Sequence, residues 1–180
     1  ASGKDANSVS INPKFISSTD LHTNTYWLDA KGTPVAEVTT DFDNQARNGV
    51  TPDIGADEYT SSLAPMSGTY TIGPAGNFTN FGKAVDSLNN KGVNGAVIFN
   101  VFSGTYYEQL VLTSVPGSSS VNTITFQSQS GNPADVILDF TALGTSDNYV
   151  VYLNGADYIM LKKMTFTASN SVGNAVVIRI

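Results

Sequence analysis

The sequence predicts an all-β fold, a parallel β-helix (a solenoid of stacked coils) with one short N-terminal capping α-helix near residues 80–90. Three observations predict it. Serine, threonine, asparagine and glycine are abundant and only 13% of residues are charged, which suits turns and stacked strands better than surface helices. From residue 95 onward, short apolar runs alternate with Gly, Asn, Ser or Pro. Two runs, NYVVYLNG at 148–155 and NAVVIRI at 174–180, begin alike about 26 residues apart, and such internal likeness is typical of a solenoid.

Length, charge and cysteine content exclude several classes of protein. The 180 residues suffice for one hydrophobic core or for two small units. The net charge is -6, the sequence pI is about 4.4 and no basic stripe occurs, which argues against nucleic acid and anionic membranes as partners. No apolar run reaches the roughly 18 residues of a membrane span, so no membrane insertion is expected. The sequence contains no cysteine, so disulfides contribute nothing.

The hydrophobic patterning of the sequence changes near residue 60. Residues 1–59 contain few clear strands and end in an acidic stretch. The stretch TSSLAPMSG at 60–68 is small and uncharged and contains Pro65, which is typical of a linker. Periodicity sharpens over residues 69–180, so we expect the regular strands in that part of the chain.

The stretch NFTNFGKAVDSLNNKG at 77–92 is the only one that predicts a good helix. Its apolar side chains recur at i, i+3, i+4 and i+7 and therefore share one face: Phe81, Ala84, Val85 and Leu88. Thr79 is the expected N-cap, and Gly92 can adopt the left-handed conformation that ends a helix. Because one coil cannot bury its own core, we expect this helix to cover the first coil.

Seven segments after residue 95 predict the strands of the coils: AVIFNVF, TYYEQLVL, NTITFQSQSG, ADVILDF, YVVYLNG, DYIMLKKMTFTAS and NAVVIRI. Stacked coils place apolar side chains inward, and eight positions are expected there: Ile124, Phe126, Val136, Val151, Leu153, Leu161, Phe166 and Val177. Asn154 and Asn174 are expected to stack into a ladder of side-chain amides. TITFQSQSGN and MTFTASNSVGN share a Thr/Phe alternation followed by a polar turn, which adds to the repeat.

Two long stretches carry a family resemblance. GTYTIGPAGNFTNFGKAVDSLNNKGVNGAVIFNVFSGTYYEQLVL, followed by NTITFQSQSGNPADVIL, resembles the N-terminal start of right-handed parallel β-helix (pectate-lyase-like) repeat regions in large secreted bacterial surface proteins. NSVSINPKFISSTDLH with TTDFDNQARNGVTPDIGADEY resembles the closing segment of such a region, whose C-terminal end motif is D-x-D-x-x-x-R…PDIGADEY. The chain departs from the usual D-x-D-G form, because Asn44 stands in the glycine position.

The order of the two stretches implies a junction between tandem modules. On this resemblance, residues 1–59 are the C-terminal end or cap of one β-helix module, and residues 69–180 are the cap helix and first coils of the next. The implied function is that of a non-catalytic structural or adhesive module of a repetitive protein, secreted or at the cell surface, which forms a rigid stalk or filament. Its partners would be neighbouring modules of the same or identical chains, with glycans as a further expectation.

The stretch at 41–59 gathers acidic residues around one arginine, Arg47. The acids are Asp41, Asp43, Asp53, Asp57 and Glu58. The favoured interpretation is a structural cap, in which Arg47 pairs with Asp53 or Glu58 while Asp side chains accept hydrogen bonds from turn amides. The alternative is a calcium site in which Asp41 and Asp43, at i and i+2, supply oxygen ligands together with Asn44, Asp53 and Asp57. The EF-hand spacing is absent and Arg47 would repel a cation, so no cofactor is expected, with calcium as the alternative.

The competing class of function is a carbohydrate-binding or polysaccharide-cleaving (lyase-like) β-helix. Acids in the repeating part are scattered, with no pair at i, i+2, so no catalytic residues are assigned. His22, the only histidine, lacks a Ser or Cys partner motif and is expected to be a polar packing residue. The candidate sugar contacts are the aromatic side chains of Tyr26, Trp27, Tyr106 and Tyr107.

Overall fold

The computed structural model describes residues 9–142, 144, 147–168 and 176–180. The chain divides into two compact units, Ala1–Ala64 (unit 1) and Pro65–Ile180 (unit 2). The described residues of unit 1 form turns, bends and one antiparallel bridge between Thr40 and Ala46, without a longer strand or a helix.

Unit 2 contains one α-helix and ten strands in its described residues. Their bounds, in chain order, are β1 Met66–Ile72, α1 Phe81–Lys91, β2 Val93–Val101, β3 Gly104–Tyr107, β4 Leu110–Thr113, β5 Ile124–Ser128, β6 Val136–Asp139, β7 Tyr149–Asn154, β8 Ile159–Lys162, β9 Thr165–Thr167 and β10 Val176–Arg179. A single 3-10 turn at Pro133–Asp135 precedes β6. Because β1 begins at Met66, the linker prediction was wrong for residues 66–68.

The strands form three sheets whose strand pairings are all parallel in the described residues. Sheet A has the order β1-β2-β5-β8, sheet B the order β3-β6-β9 and sheet C the order β10-β7-β4. From β2 onward the chain visits sheets A, B and C in turn, and it repeats that sequence three times. The prediction of a mostly β fold is confirmed, and its strands are parallel.

The pairing aligns like side chains from strand to strand. In sheet A, Tyr70 pairs with Phe99, Phe99 with Phe126, and Phe126 with Leu161. The rings of Phe99 and Phe126 stack with centroids 4.7 Å apart and an angle of 17° between their planes. This distance matches the spacing of neighbouring strands, about 4.8 Å, so these two rings lie directly one above the other.

One hydrophobic cluster contains side chains from all three sheets and from α1. Of the positions expected to point inward, Ile124, Phe126, Val136 and Val151 are buried, and Leu153, Leu161 and Phe166 are partly buried against the cluster. The prediction for Val177 was wrong, because this side chain is 40% exposed. Its strand β10 lies at the edge of sheet C and pairs only with β7.

Helix α1 lies where the periodicity predicts it, and its buried side chains are the four predicted ones. The N-cap is Asn80 rather than Thr79, because the Asn80 side chain accepts a hydrogen bond from the Lys83 amide at 3.0 Å. Gly92 follows the helix with a φ of 64°, and its amide donates to the Leu88 carbonyl.

An unpredicted contact completes the N-terminus of α1. Glu108, in the corner between β3 and β4, accepts hydrogen bonds from the amides of Phe81 at 3.2 Å and Gly82 at 2.9 Å. The helix also packs against β1 and β4, while Phe81 meets Tyr106 of β3 edge to face at 5.1 Å. It therefore contacts the first strand of every sheet.

Several details of the predicted repeat were wrong. TYYEQLVL divides into β3 and β4, and DYIMLKKMTFTAS divides into β8 and β9 at Lys163, which has a φ of 51°. As a result, TITF lies in sheet A and MTFT in sheet B, so these two stretches are not equivalent. The NYVVYLNG and NAVVIRI stretches do pair, with Tyr149 opposite Val176.

The amide ladder lies elsewhere than expected. Asn174 falls outside the described residues, and the Asn154 side chain is exposed. An amide pair instead joins β2 and β5, where Gln127 donates to the side-chain oxygen of Asn100 at 2.9 Å. Polar side chains thus follow the same strand-to-strand alignment as the apolar ones.

Candidate functional site

Unit 1 has little apolar core. Leu28 is its only buried hydrophobic side chain among the described residues, whereas three carboxylates are buried: Asp41, Asp53 and Asp57. A buried carboxylate is costly unless hydrogen bonds or charges compensate it. The architecture of unit 1 therefore depends on what these acids contact.

Asp41 holds together the turn that follows it. One of its oxygens accepts from the amides of Asp43 at 2.9 Å and Gln45 at 2.8 Å, and the other accepts from Glu58 at 3.2 Å. Burial alone would raise the pKa of Asp41, but the hydrogen bonds from these amides hold it below its usual value. Within this turn Asn44 has a φ of 64°, a left-handed conformation that asparagine adopts more readily than most residues other than glycine.

Asp53 connects two other segments. Its oxygens accept from the amide of Ala30 at 2.6 Å and from that of Tyr59 at 2.7 Å. Burial raises the pKa of Asp53, and these two hydrogen bonds offset the effect only in part. The Tyr59 hydroxyl donates to the Thr25 carbonyl at 2.6 Å, which adds a further tie to the same region.

The guanidinium of Arg47 donates hydrogen bonds mainly to backbone carbonyl groups. It donates to the backbone oxygens of Asp53 at 2.6 Å and Gly55 at 3.0 Å. Its Nε lies 3.6 Å from a carboxylate oxygen of Glu58, and both side chains are largely buried. The structure thus pairs Arg47 with Glu58, whereas its contact with Asp53 is to the main chain. Glu58 also accepts from the amides of Asn48 and Asp53.

His22 contacts two acidic side chains, whereas the sequence predicted only a polar packing residue. Its Nδ1 lies 2.6 Å from Asp20 and its Nε2 lies 2.7 Å from Asp43. The hydrogen bond with Asp20, and then the one with Asp43, raises the pKa of His22 to about 9. The Asp20-x-His22 spacing was visible in the sequence, but the contact with Asp43 depends on the fold.

Asp43 and Asp57 converge on His22. One potential ligand atom from each of the three residues lies within 4.8 Å of the other two. Asp41 and Asp53, which also belong to the calcium alternative, are not members of this group, and the oxygens of Asp41 are engaged by three amides. The acids of the 41–59 stretch therefore divide into two sets, one that ties the backbone and one that faces the histidine.

The four candidate aromatic contacts differ in exposure. In unit 1, Tyr26 and Trp27 are half-buried and meet edge to face at 5.7 Å. In unit 2, Tyr107 is 78% exposed. The prediction for Tyr106 was wrong, because it is only 8% exposed and its hydroxyl donates to the Phe102 carbonyl at 2.8 Å. Adjacent strand residues point to opposite faces, so only one tyrosine of the pair can reach solvent.

Comparison of the chain with protein-family models, with curated proteins and with solved structures found no match. Among the described residues, no helix is both long enough and apolar enough to cross a bilayer.

Proposed function

We propose that the chain is a non-catalytic structural or adhesive module of a repetitive bacterial protein, secreted or displayed at the cell surface. In this proposal unit 2 is the start of a right-handed parallel β-helix, and unit 1 is the closing segment of the module before it. Neighbouring modules of the same or identical chains are the partners, and the assembly is a rigid stalk or filament.

The observation that carries the proposal is the cyclic order of the three sheets. A chain that visits sheets A, B and C repeatedly, always adding a parallel strand beside the previous one, advances by one strand spacing per circuit. In the proposal that path is a coil, and it would be right-handed, as parallel crossovers almost always are. The aligned Phe99, Phe126 and Leu161 would form part of its interior column.

Helix α1 supports the assignment of unit 2 as a module start. It contacts the first strand of every sheet and buries Phe81 and Leu88 completely. A helix in this place closes the open end of the apolar interior, which terminal elements of solenoids must do.

The surface of unit 1 supports its assignment as a closing segment. Large hydrophobic side chains stay at least 45% exposed among its described residues: Val9, Phe15, Ile16, Leu21, Val35, Val38, Phe42 and Val50. Exposed apolar side chains in such number usually mark a surface that a partner covers. In the proposal the last coil of the preceding module is that partner.

Tandem copies test the stalk. One, two and three copies of the chain, joined directly, should give maximum dimensions from small-angle X-ray scattering that increase in proportion to copy number. Flexibly linked units would instead extend roughly as the square root of that number. A matched control with a Gly/Ser linker at each joint should show the weaker dependence. Equal behaviour of the two series would overturn the proposal.

A direct assay tests the non-catalytic part. Incubation of the chain with acidic polysaccharides should yield no unsaturated sugar products, because the acids in unit 2 are scattered along the sequence. Clear turnover would overturn this part and favour the lyase-like alternative.

Glycan binding is the second candidate function, and the exposure of Tyr107 favours it. A tyrosine that is 78% exposed offers a ring face on which a sugar can stack. Binding on a glycan array should be lost in Tyr107→Ala and retained in Val121→Ala, a control position that is equally exposed. An array without any signal, or a signal insensitive to Tyr107→Ala, would remove this candidate.

A further inference from the structure

Asp57 is a buried carboxylate without a hydrogen-bond partner among the described residues. The residue is only 5% exposed, whereas the other two buried acids of unit 1 each accept backbone hydrogen bonds. One Asp57 oxygen lies within 4.8 Å of a ring nitrogen of His22 and a carboxylate oxygen of Asp43. A largely buried carboxylate that accepts no hydrogen bond from the described residues has its oxygens available to a cation.

We propose that unit 1 binds one divalent transition-metal cation of the zinc class, with His22, Asp43 and Asp57 as its protein ligands. The site does not depend on the proposed structural function. It would cross-link unit 1, because its ligands lie well apart in the chain, at positions 22, 43 and 57.

The donor set selects the class of metal. One imidazole nitrogen and two carboxylate oxygens suit zinc and its neighbours, whereas calcium prefers oxygen ligands only. Three protein ligands also leave a fourth position of a tetrahedral site for water.

The surroundings of His22 are those of a metal-binding histidine. The nitrogen that faces Asp43 is Nε2, and the other nitrogen, Nδ1, lies 2.6 Å from Asp20. Ligating histidines usually donate their second N–H to a carboxylate, which fixes the orientation of the ring. Asp20 would therefore be a positioning residue rather than a ligand.

Metal binding requires only a small rearrangement. His22 Nε2 and Asp43 Oδ2 are 2.7 Å apart, whereas two ligands of a tetrahedral zinc ion lie about 3.3 Å apart when the metal–ligand bonds are close to 2 Å. The Asp57 oxygen lies within 4.8 Å of both other atoms, so it need move inward by at most about 1.5 Å. Rotation of exposed side chains such as His22 and Asp43 can supply such shifts.

The low polarity beside Asp57 strengthens the argument. Asp57 also lines a cleft of about 230 Å³ whose walls include Leu28 and Ile54. The attraction between a carboxylate and a cation is stronger beside such apolar walls than in bulk water.

Titration calorimetry with Zn²⁺ tests the site in the full chain. After treatment with EDTA and dialysis, the protein should bind one Zn²⁺ per chain at pH 7, and Ca²⁺ should bind at least about tenfold more weakly. Asp57→Asn and His22→Gln should each weaken Zn²⁺ binding at least about tenfold, and Asp20→Asn should weaken it to a lesser extent. The matched control Asp86→Asn changes an exposed acid on α1 and should leave binding unchanged.

A spectroscopic readout keeps the test independent of folding. His22 is the only histidine, so its imidazole signals in the NMR spectrum of the wild type are unambiguous and should shift with one equivalent of Zn²⁺. Trp27 is the only tryptophan, and its fluorescence reports whether each metal-free variant is folded in unit 1. An absence of stoichiometric binding, unshifted His22 signals, or unchanged affinity in folded Asp57→Asn would each overturn the proposal.

Discussion

Replacement of Glu108 by alanine should destabilise unit 2 through the N-terminus of α1. The first four amides of a helix lack partners within it. Here Glu108 accepts from Phe81 and Gly82, and the Asn80 side chain accepts from Lys83, while the first bond within the helix runs from the Ala84 amide to the Asn80 carbonyl. Glu108→Ala therefore leaves the amides of Phe81 and Gly82 without their acceptor.

The magnitude follows from the burial of those two amides. Phe81 is completely buried, so an amide left there without an acceptor would lower the free energy of unfolding by about 1–3 kcal/mol. Gly82 is exposed, so water can replace the carboxylate there, and the lost charge at the helix N-terminus adds about 0.3–1 kcal/mol. We expect a total of about 2 kcal/mol, and about half of that for Glu108→Gln, which retains one acceptor oxygen.

Urea unfolding followed by circular dichroism at 222 nm measures the effect, because α1 is the only α-helix in the described residues. With a urea dependence of about 2 kcal/mol/M, the midpoint for Glu108→Ala should fall by roughly 1 M. Asp86→Asn, which removes a charge from the exposed side of the same helix, should change stability by less than about 0.5 kcal/mol. Equal midpoints for Glu108→Ala and Asp86→Asn would refute the capping argument.

The remaining predictions concern the aromatic column, the Asp41 turn and the histidine. Phe126→Ala should lower the free energy of unfolding by about 3–5 kcal/mol in chemical denaturation, because the ring is fully buried and stacked on Phe99; a loss below 1 kcal/mol, similar to that of exposed Tyr107→Ala, would contradict the stacking. Asn44→Ala should cost about 1 kcal/mol by Trp27 fluorescence in urea, whereas Asn44→Gly should be nearly neutral, because only glycine and a few polar residues accept the left-handed conformation; equal effects of the two substitutions would argue against it. In the metal-free protein, NMR titration should give His22 a pKa of about 9. Since this pKa is raised from 6.5, the imidazolium stabilises the fold fully below pH 6.5, and the stabilisation is lost as the pH rises through about 9; a measured value near 6.5 would show that the contacts with Asp20 and Asp43 do not form.

Local patterns in the sequence predicted local structure well. The face of α1 was predictable because a 3.6-residue period depends only on neighbours in the chain, and its buried residues are the predicted ones. The N-cap was misplaced by one residue, since Thr79 and Asn80 are both good capping residues and only the geometry selects between them.

Corners and long-range contacts were not predictable in the same way. TYYEQLVL is a continuous strand-like run, and nothing in its residues indicates that Glu108 lies in a corner and reaches a helix that precedes it in the chain. Connections of different length also make the sequence separation between paired strands unequal. Val97 pairs with Ile124 and Ile124 pairs with Ile159, and the second pair is separated by more residues than the first. A fixed sequence period therefore aligned TITF with MTFT, which belong to different sheets.

The structural role of the acidic stretch was predictable, but the partner of each acid was not. Charge alone suggested the contact between Arg47 and Glu58. The remaining contacts depend on chain reversals that bring residues 20–30 beside residues 41–59. Through these reversals Asp41 and Asp53 accept hydrogen bonds from amides, and Asp57 faces His22. Sequence spacing carries no signal for such reversals.

The scarcity of apolar burial in unit 1 has a thermodynamic consequence. The heat capacity increment of unfolding grows with the nonpolar area exposed to water, and Leu28, which is 6% exposed, is the only buried branched aliphatic or aromatic side chain among the described residues of this unit. Its stability curve should accordingly be flat with temperature, while protonation of Asp41, whose pKa is depressed, would weaken it in acid. In the proposed stalk, acidification would therefore weaken the carboxylate-held unit 1 of each module, whereas the apolar core of unit 2 has no such dependence on protonation.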